Sequence, residues 1–351
     1  MSILRKDPLS DSWVIFSEER TIRPQLFIHP ETRLPVPAVN YCPFCPGHES
    51  ETPPEIRAHR PNGGHPNGPD WQIRTIPNKF AVLRVEEQLR RHGDGIYDTM
   101  EGVGAHEIII ETPNHDSDIV SYPLDHLVRL LAMYRERATD LMRDERLRYI
   151  QLFRNYGFSA GQALSHPHSQ IIALPIIPSS VQDVLRSVSE HYEQKERCLL
   201  CDIISQEIKD RSRVILENDA FLCICPFASK FPFEAQIYPK RHQAFFTTTT
   251  DEELPQLATA LQVVLRALKN ALADPPYNYI LHFAPSYSGE QHQRLRRRLF
   301  EEFHWYVEVI PRITRLAGFE VGTGCFINPT LPEKAAAYLR DMIVSDPANR
   351  K

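Results

Sequence analysis

A chain of 351 residues exceeds what one hydrophobic core comfortably organises, so two domains, or one duplicated domain, are expected. Hydrophobic residues at 42% and charged residues at 24% are the proportions of a soluble globular protein. A net charge of -5 with no run of Lys or Arg gives no reason to expect a nucleic-acid partner, so any grip on phosphate must be local.

No apolar stretch at Met1–Asp7 reads as a signal peptide and none elsewhere is long enough to span a bilayer, so no membrane partner and a cytoplasmic location are expected. Seven cysteines is an odd number, and four fall in two Cys-x-x-Cys pairs, Cys42 with Cys45 and Cys198 with Cys201. In a reducing compartment such pairs point to metal ligation rather than bridges. Cys223, Cys225 and Cys325 sit among apolar residues and read as core thiols.

In chain order, Trp13–Phe16 is a short β-prone run, and the Pro- and Gly-rich stretch from Gly47 to Asp70 reads as a long irregular loop. A second Gly-containing break covers Arg91 to Gly104. His106–Thr112 reads as a strand that ends before His115. Leu127, Leu130, Leu131, Tyr134, Ala138 and Leu141 then recur at helical spacing. Strands follow at Tyr149–Phe153 and, after a small-residue loop from Gly157 to Ser165, at His166–Pro175. A linking helix is expected between Ser180 and Arg197, with Val184, Leu185 and Val188 on it.

The second half repeats this order. A strand at Phe233–Tyr238 leads to His242, and Glu234 precedes His242 by the interval that separates Glu107 from His115. A helix carries Leu257, Leu261, Val264, Leu265, Leu268 and Leu272, and Asp274-Pro275-Pro276 stops it. Strands at Tyr279–Phe283 and His304–Val309 follow. The order Cys-x-x-Cys, strand, His, helix, strand, His-containing strand therefore occurs twice, which predicts an α+β protein of two tandem halves, 1–180 and 181–351. Each half is expected to be a mainly antiparallel sheet backed by a helix.

The most informative segment is His166-Pro167-His168-Ser169-Gln170. On a strand, alternate side chains share a face, so His166, His168 and Gln170 project together, and three polar groups on one face of a β-prone run are costly without partners or work. The plain alternative is a row of hydrogen-bonded histidines with no chemistry. A neutral imidazole is a competent nucleophile toward phosphorus near neutral pH, and attack by His168 on the α-phosphate of a nucleotide sugar would leave a labile nucleotidyl-histidine. Gln170 can donate to the phosphoryl oxygens but cannot supply a proton, which favours transfer between phosphates over hydrolysis. The small residues of the preceding loop, Gly161 among them, would let a phosphate approach backbone N–H groups.

His166-Pro167-His168-Ser169-Gln170 resembles the active-site signature of the galactose-1-phosphate uridylyltransferases, within the histidine triad superfamily, and the similarity runs through nearly the whole chain. Leu4-Arg5, Asp7, Trp13, Ser17, Arg20, Arg23-Pro24, Cys42-Pro43-Phe44-Cys45, Asn78-Lys79-Phe80-Ala81, His115 and Asn155 follow the family's order. The resemblance implies two histidine-triad-like halves, His168 as nucleophile and Gln170 as phosphate stabiliser. It implies Arg20 and Arg23 as phosphate ligands, Asn78 and Phe80 beside the nucleoside, Asn155 in the substrate site, and a homodimer. It also implies that His115 and His166 complete a structural zinc site with Cys42 and Cys45. A second metal site is expected at Cys198, Cys201, His242 and His304. The repeat supports His242, but counting back from the following proline aligns His304 with His168 rather than with His166.

The expected reaction is nucleotidyl transfer from UDP-glucose to a hexose 1-phosphate such as galactose 1-phosphate. Two alternatives remain open: a phosphorylase that passes the nucleotide of ADP-glucose to phosphate, and an inactive zinc-stabilised nucleotide-binding protein. In the acceptor segment only Phe319 and Val321 hold to the transferase pattern, and Gly318 stands where those enzymes carry lysine. That segment resembles the plant ADP-glucose phosphorylase type.

Overall fold

The computed structural model describes residues 2–17, 41–287 and 292–346. Its frame is a ten-stranded sheet in which every pairing is antiparallel. The first half contributes β3 (Arg57–His59), β4 (Ile73–Pro77), β7 (Ala105–Ile110), β8 (Tyr149–Tyr156) and β9 (His168–Leu174). The second contributes β10 (Val214–Glu217), β11 (Phe221–Ile224), β12 (Ala235–Pro239), β13 (Tyr277–His282) and β14 (Tyr306–Pro311). From the central β8–β13 pair, the order runs β9, β7, β4, β3 one way and β14, β12, β11, β10 the other. One line of paired residues crosses both halves: Ile76, Ile108, Gln170, Phe153, Ile280, Glu308, Gln236 and Ile224.

One face of the sheet is closed by α1 (Leu124–Leu141) and α4 (Glu253–Leu272), which pack on each other, with α7 (Pro332–Ser345) against α4. Their apolar stripes supply most of the main core: Leu127, Leu130 and Leu131 of α1, and Leu257, Leu261, Val264, Leu265 and Leu268 of α4, are all almost fully buried. Each such side chain contributes about 1.5–3 kcal/mol. The other face is treated differently in the two halves. Over the second half, α2 (Ser179–Lys195) and α3 (Leu199–Asp210) build a core from Val188, Leu200 and Ile204 with Leu222, Ile224 and Tyr238. Over the first half, among the described residues, a small cluster of Cys42, Phe44, Trp71, Ile76, Ile108 and Ile110 covers the sheet and leaves a cavity.

A separate three-stranded sheet joins the chain ends: β1 (Ser2–Lys6) pairs with β2 (Trp13–Ser17), which runs parallel to β15 (Phe326–Asn328) beyond the short α6 (Gly318–Thr323). Arg5 also bonds Glu333 of α7, so residues 2–17 pack on the second half. Helix α5 (Gln293–Glu302) precedes β14. No helix among the described residues is long and apolar enough to cross a membrane.

Three expectations require correction. The stretch from Gly47 to Asp70 is not wholly irregular, because Arg57–His59 pairs as the edge strand β3. The break from Arg91 to Gly104 holds a hairpin, β5 (Arg91–Asp94) with β6 (Tyr97–Met100), turned at Gly95 with φ +60. Its exposed, weakly alternating residues carry no periodic signal to reveal it. The strand expected from His166 begins at His168, and the one expected from His304 begins at Tyr306. Each histidine therefore stands two residues ahead of its strand, and His304 is the counterpart of His166. The proline count misled because β14 is shorter than β9.

Behind β9, on the helix face, lies a buried polar network absent from the sequence reading. Glu111, wholly buried, accepts from Arg154 Nε at 3.0 Å, from Tyr122 at 3.0 Å and from Ser169 Oγ. Ser169 also contacts Tyr134, which reaches Tyr279 of β13, while Arg154 contacts Tyr277. The network fastens the strand carrying His168 and Gln170 to the second half. Glu111→Ala would strand a guanidinium that is 1% exposed, and is expected to destabilise the protein by about 3–5 kcal/mol in urea unfolding. Adding Arg154→Leu is expected to recover part of that loss.

Candidate active site

Strand β9 turns Ser169 toward the helices, so His168 and Gln170 face the other way, onto the open side of the sheet. There they form one wall of a mainly apolar cavity of about 580 Å³, with Asn78 and Phe80, Ile76 and Ile108, and Tyr41, Pro43 and Phe44. Asn78 Oδ1 accepts the Phe80 backbone N–H at 2.9 Å, which holds that turn at the rim. Phe80 is 83% exposed, a ring left open to stack on a flat ligand.

The orientation of His168 decides its chemistry. Nδ1 donates to the His166 carbonyl at 2.8 Å, which leaves the lone pair on Nε2. Nε2 has no hydrogen-bond partner among the described residues. Phe44, held inside the Cys-x-x-Cys turn, sets its ring against His168 at 5.5 Å and 69° and against His166 at 6.1 Å and 87°. Burial holds the His168 imidazole below its ordinary range, against the opposing bond to His166, so the ring is kept neutral.

Beneath this wall Cys42, Cys45, His115 and His166 bring one ligand atom each to within 4.8 Å of one another. Cys45 Sγ lies 3.4 Å from His115 Nδ1 and 3.6 Å from His166 Nδ1, and Cys42 Sγ lies 3.7 Å from His166 Nδ1. The outer nitrogens are engaged: His166 Nε2 donates to the Thr112 carbonyl at 2.8 Å, and His115 Nε2 to Ser165 Oγ at 2.9 Å. Cys198, Cys201, His242 and His304 form a second quartet within the same 4.8 Å limit. Here Cys201 Sγ is 3.3 Å and 3.5 Å from the two Nδ1 atoms, while the Nε2 atoms donate to the Phe300 and Pro239 carbonyls.

Both quartets fit a metal ion. With Zn–S near 2.3 Å and Zn–N near 2.0–2.1 Å, a tetrahedral S···N edge is about 3.6 Å, the separation seen in each. Every Nδ1 is freed as a ligand by the bond its Nε2 makes. A cation would also ease two of the thiols, while the hydrogen bond from Cys201 holds Cys198 down. Burial, with Cys42 next, pushes Cys45 up to about 11, and the hydrogen bond to Cys198, with burial, pushes Cys201 up. A bound divalent ion removes that penalty. Four protein ligands would leave no open position on a bound ion, so its part would be structural.

The loop before β9 is pinned rather than loose. Gly157 has φ +83, and a Cβ there would lie 2.9 Å from Pro276, so only glycine fits the approach to β13. Asn155 accepts from Asn278 at 2.8 Å and reaches the Gly161 carbonyl at 3.4 Å, bracing the loop at one side of the cavity. Asn155 and Gly161 thus support the loop and are not among the residues lining the wall. Phe319 and Val321 lie exposed on α6 and do not line this cavity. Arg20 and Arg23 fall outside the described residues. The sequence reading did not single out Phe44, whose place between two ligating cysteines was the available signal. It also passed over His106, discussed below.

Residues 184–346 match the model of the galactose-1-phosphate uridyl transferase C-terminal domain, and residues 93–177 match the N-terminal domain of a family of unknown function, DUF4931. An ADP-glucose phosphorylase of Arabidopsis thaliana is 35% identical over 97% of this chain and 92% of its own. A galactose-1-phosphate uridylyltransferase of Thermotoga maritima is 30% identical over 97% and 98%. The solved structure of an ADP-glucose phosphorylase from Arabidopsis thaliana with bound ADP-glucose superposes with a TM-score of 0.80 at 33% identity, covering 97% of this chain and 99% of that one. With 30–35% identity to these enzymes over nearly the whole of each chain, the chain belongs to the galactose-1-phosphate uridylyltransferase family and is an enzyme of the nucleotidyltransferase type.

Proposed function

We propose that the protein transfers a nucleoside monophosphate from a nucleotide sugar to a phosphate-bearing acceptor by way of a nucleotidyl group on His168. The observation that carries this reading is the hydrogen bond from His168 Nδ1 to the His166 carbonyl, which leaves Nε2 as a free nucleophile on the cavity wall beside Gln170. In the first half-reaction Nε2 attacks the α-phosphorus, the bond to the sugar phosphate breaks, and the sugar 1-phosphate departs. The positive charge developing on the ring is met by the carbonyl already bonded to Nδ1. Gln170 donates to the phosphoryl oxygens as charge builds on them. In the second half-reaction an acceptor phosphate oxygen attacks the same phosphorus, the N–P bond breaks and the imidazole is restored. No proton need be supplied at either step, which suits phosphate leaving groups and disfavours water.

Asn78 and Phe80 serve the nucleoside in this reading, Asn155 and Gly161 shape the phosphate end, and Arg20 and Arg23 are phosphate ligands. Phe319 and Val321 belong to the acceptor side, presented by a second copy in a homodimer. Residues 1–180 form the catalytic half and 181–351 the acceptor-side half. Both quartets hold zinc, and the enzyme works in the cytoplasm.

The two active readings share the first half-reaction and part at the acceptor. Transfer to a hexose 1-phosphate follows the family's uridylyltransferases. Gly318 in place of a lysine, and the 35% identity to the ADP-glucose phosphorylase, favour ADP-glucose as donor and phosphate as acceptor.

Incubation with ADP-glucose or UDP-glucose labelled in the α-phosphate is expected to label the wild type and leave His168→Ala unlabelled at full zinc content. Stable labelling of that variant would refute the nucleophile, and an unlabelled wild type would favour the inactive binding protein. Chasing the labelled enzyme with phosphate is expected to release nucleoside diphosphate, faster than galactose 1-phosphate releases nucleotide sugar; the reverse order would assign the hexose-1-phosphate reaction. His166→Ala is expected to lose about one zinc per chain by metal analysis and to melt at a lower temperature, because the binding free energy of a structural ion is part of folding. Retention of both zinc ions would contradict the ligand assignment.

A further inference from the structure

We infer that His106 is a positioning residue whose ring dictates which end of the Gln170 amide faces the reacting phosphate, an inference that rests on the reading of His168 as nucleophile. An amide turned by 180° has nearly the same shape but presents lone pairs, rather than N–H groups, to an anion. Something must therefore choose the orientation. On β7 His106 pairs with Ile172 and its neighbour Ile108 pairs with Gln170, so His106 and Gln170 are diagonal neighbours on one face of the sheet. His106 is 8% exposed, which leaves water little part in the matter.

The direction is set from the backbone. The Phe80 N–H donates to Asn78 Oδ1 at 2.9 Å, which turns Asn78 Nδ2 toward the His106 ring, 3.4 Å from Nδ1. The Val82 N–H also donates to Nδ1, at 3.4 Å. Two donors require a lone pair on Nδ1, so the proton resides on Nε2. Asn78 Nδ2 also lies 3.1 Å from Nε2, a separation that carries no hydrogen bond once Nε2 is protonated. Nε2–H then donates to Gln170 Oε1 at 2.8 Å. The Gln170 NH₂ group is left facing the cavity. Backbone amides cannot exchange donor for acceptor, so the chain of bonds has one sense only.

The test compares His106→Gln, which can still donate toward Gln170, with His106→Glu, which can only accept and would draw the Gln170 NH₂ to itself. In single turnovers with α-labelled ADP-glucose or UDP-glucose, His106→Glu is expected to slow nucleotidylation of His168 about 10²-fold, with substrate affinity little changed. His106→Gln is expected to keep most of the rate. In a Gln170→Ala background, His106→Glu is expected to add no more than about a twofold loss. Equal rates for the two His106 variants, or an undiminished loss in the Gln170→Ala background, would overturn the inference. ¹⁵N NMR of the wild-type ring is expected to find the proton on Nε2; a proton on Nδ1 would overturn it without reference to activity. A wild type that carries Nε2–H yet never forms nucleotidyl-His168 would defeat the nucleotidyltransferase reading and leave the orientation intact.

Discussion

A histidine can attack phosphorus only while one ring nitrogen keeps its lone pair and the other has somewhere to place its proton. Both conditions are met for His168 by one bond, Nδ1–H to the His166 carbonyl. That carbonyl is itself fixed, because the His166 ring lies among Cys42, Cys45 and His115 on one side and donates to Thr112 on the other. The ring of His166 thus belongs to the quartet while its backbone carbonyl holds the His168 ring. Phe44 closes the arrangement by packing its edge on both imidazoles. Loosening the quartet would release the carbonyl and so the choice of nucleophilic nitrogen.

The sheet carries a Cys-x-x-Cys and two-histidine quartet on each side of its central β8–β13 pair, but different side chains beside them. Gln170 and Glu308 occupy matching positions on the line of residues that crosses the sheet, and Tyr306 stands two residues past His304 as His168 stands two past His166. In the second half Glu308 is taken by His282 Nε2 at 2.9 Å, and with Tyr306 and Gln236 it lines a smaller cavity of about 220 Å³. The first half leaves the corresponding face open over Ile76 and Ile108. A quartet and a cavity therefore occur on each side of the central strand pair, but the first-half cavity presents His168 and Gln170 where its counterpart presents Tyr306 and Glu308. The Glu111 network ties the two halves together through Ser169, Tyr134 and Tyr279, so β9 is braced against β13.

The helices α1 and α4 were legible in the sequence because their leucines recur at a period that only a helix satisfies. Cys42 and Cys45 were legible as a pair because the Cys-x-x-Cys spacing is chemically narrow, whereas His115 and His166 were joined to them only by the family resemblance. The prediction that His166 shares a strand face with His168 was too simple, since the strand starts two residues later and His166 reaches its quartet from an extended lead-in. The joining of the halves into one sheet was hidden, because pairing of β8 with β13 depends on residues over 120 positions apart that carry no mutual signature. His106 and Glu111 were hidden for a related reason. Each reads as one polar residue in a β-prone run, and only the fold reveals that one meets Gln170 and the other Arg154.

The atom of the protein that bears the nucleotide decides the mechanism. Enzyme quenched after mixing with the nucleotide sugar, and analysed by peptide mass spectrometry with ³¹P–¹⁵N coupling in the histidine-labelled protein, would give that atom. The expected result is one nucleoside monophosphate per chain, bonded to Nε2 of His168. Phosphorus on Nδ1, on a different side chain, or on none would contradict the central claim.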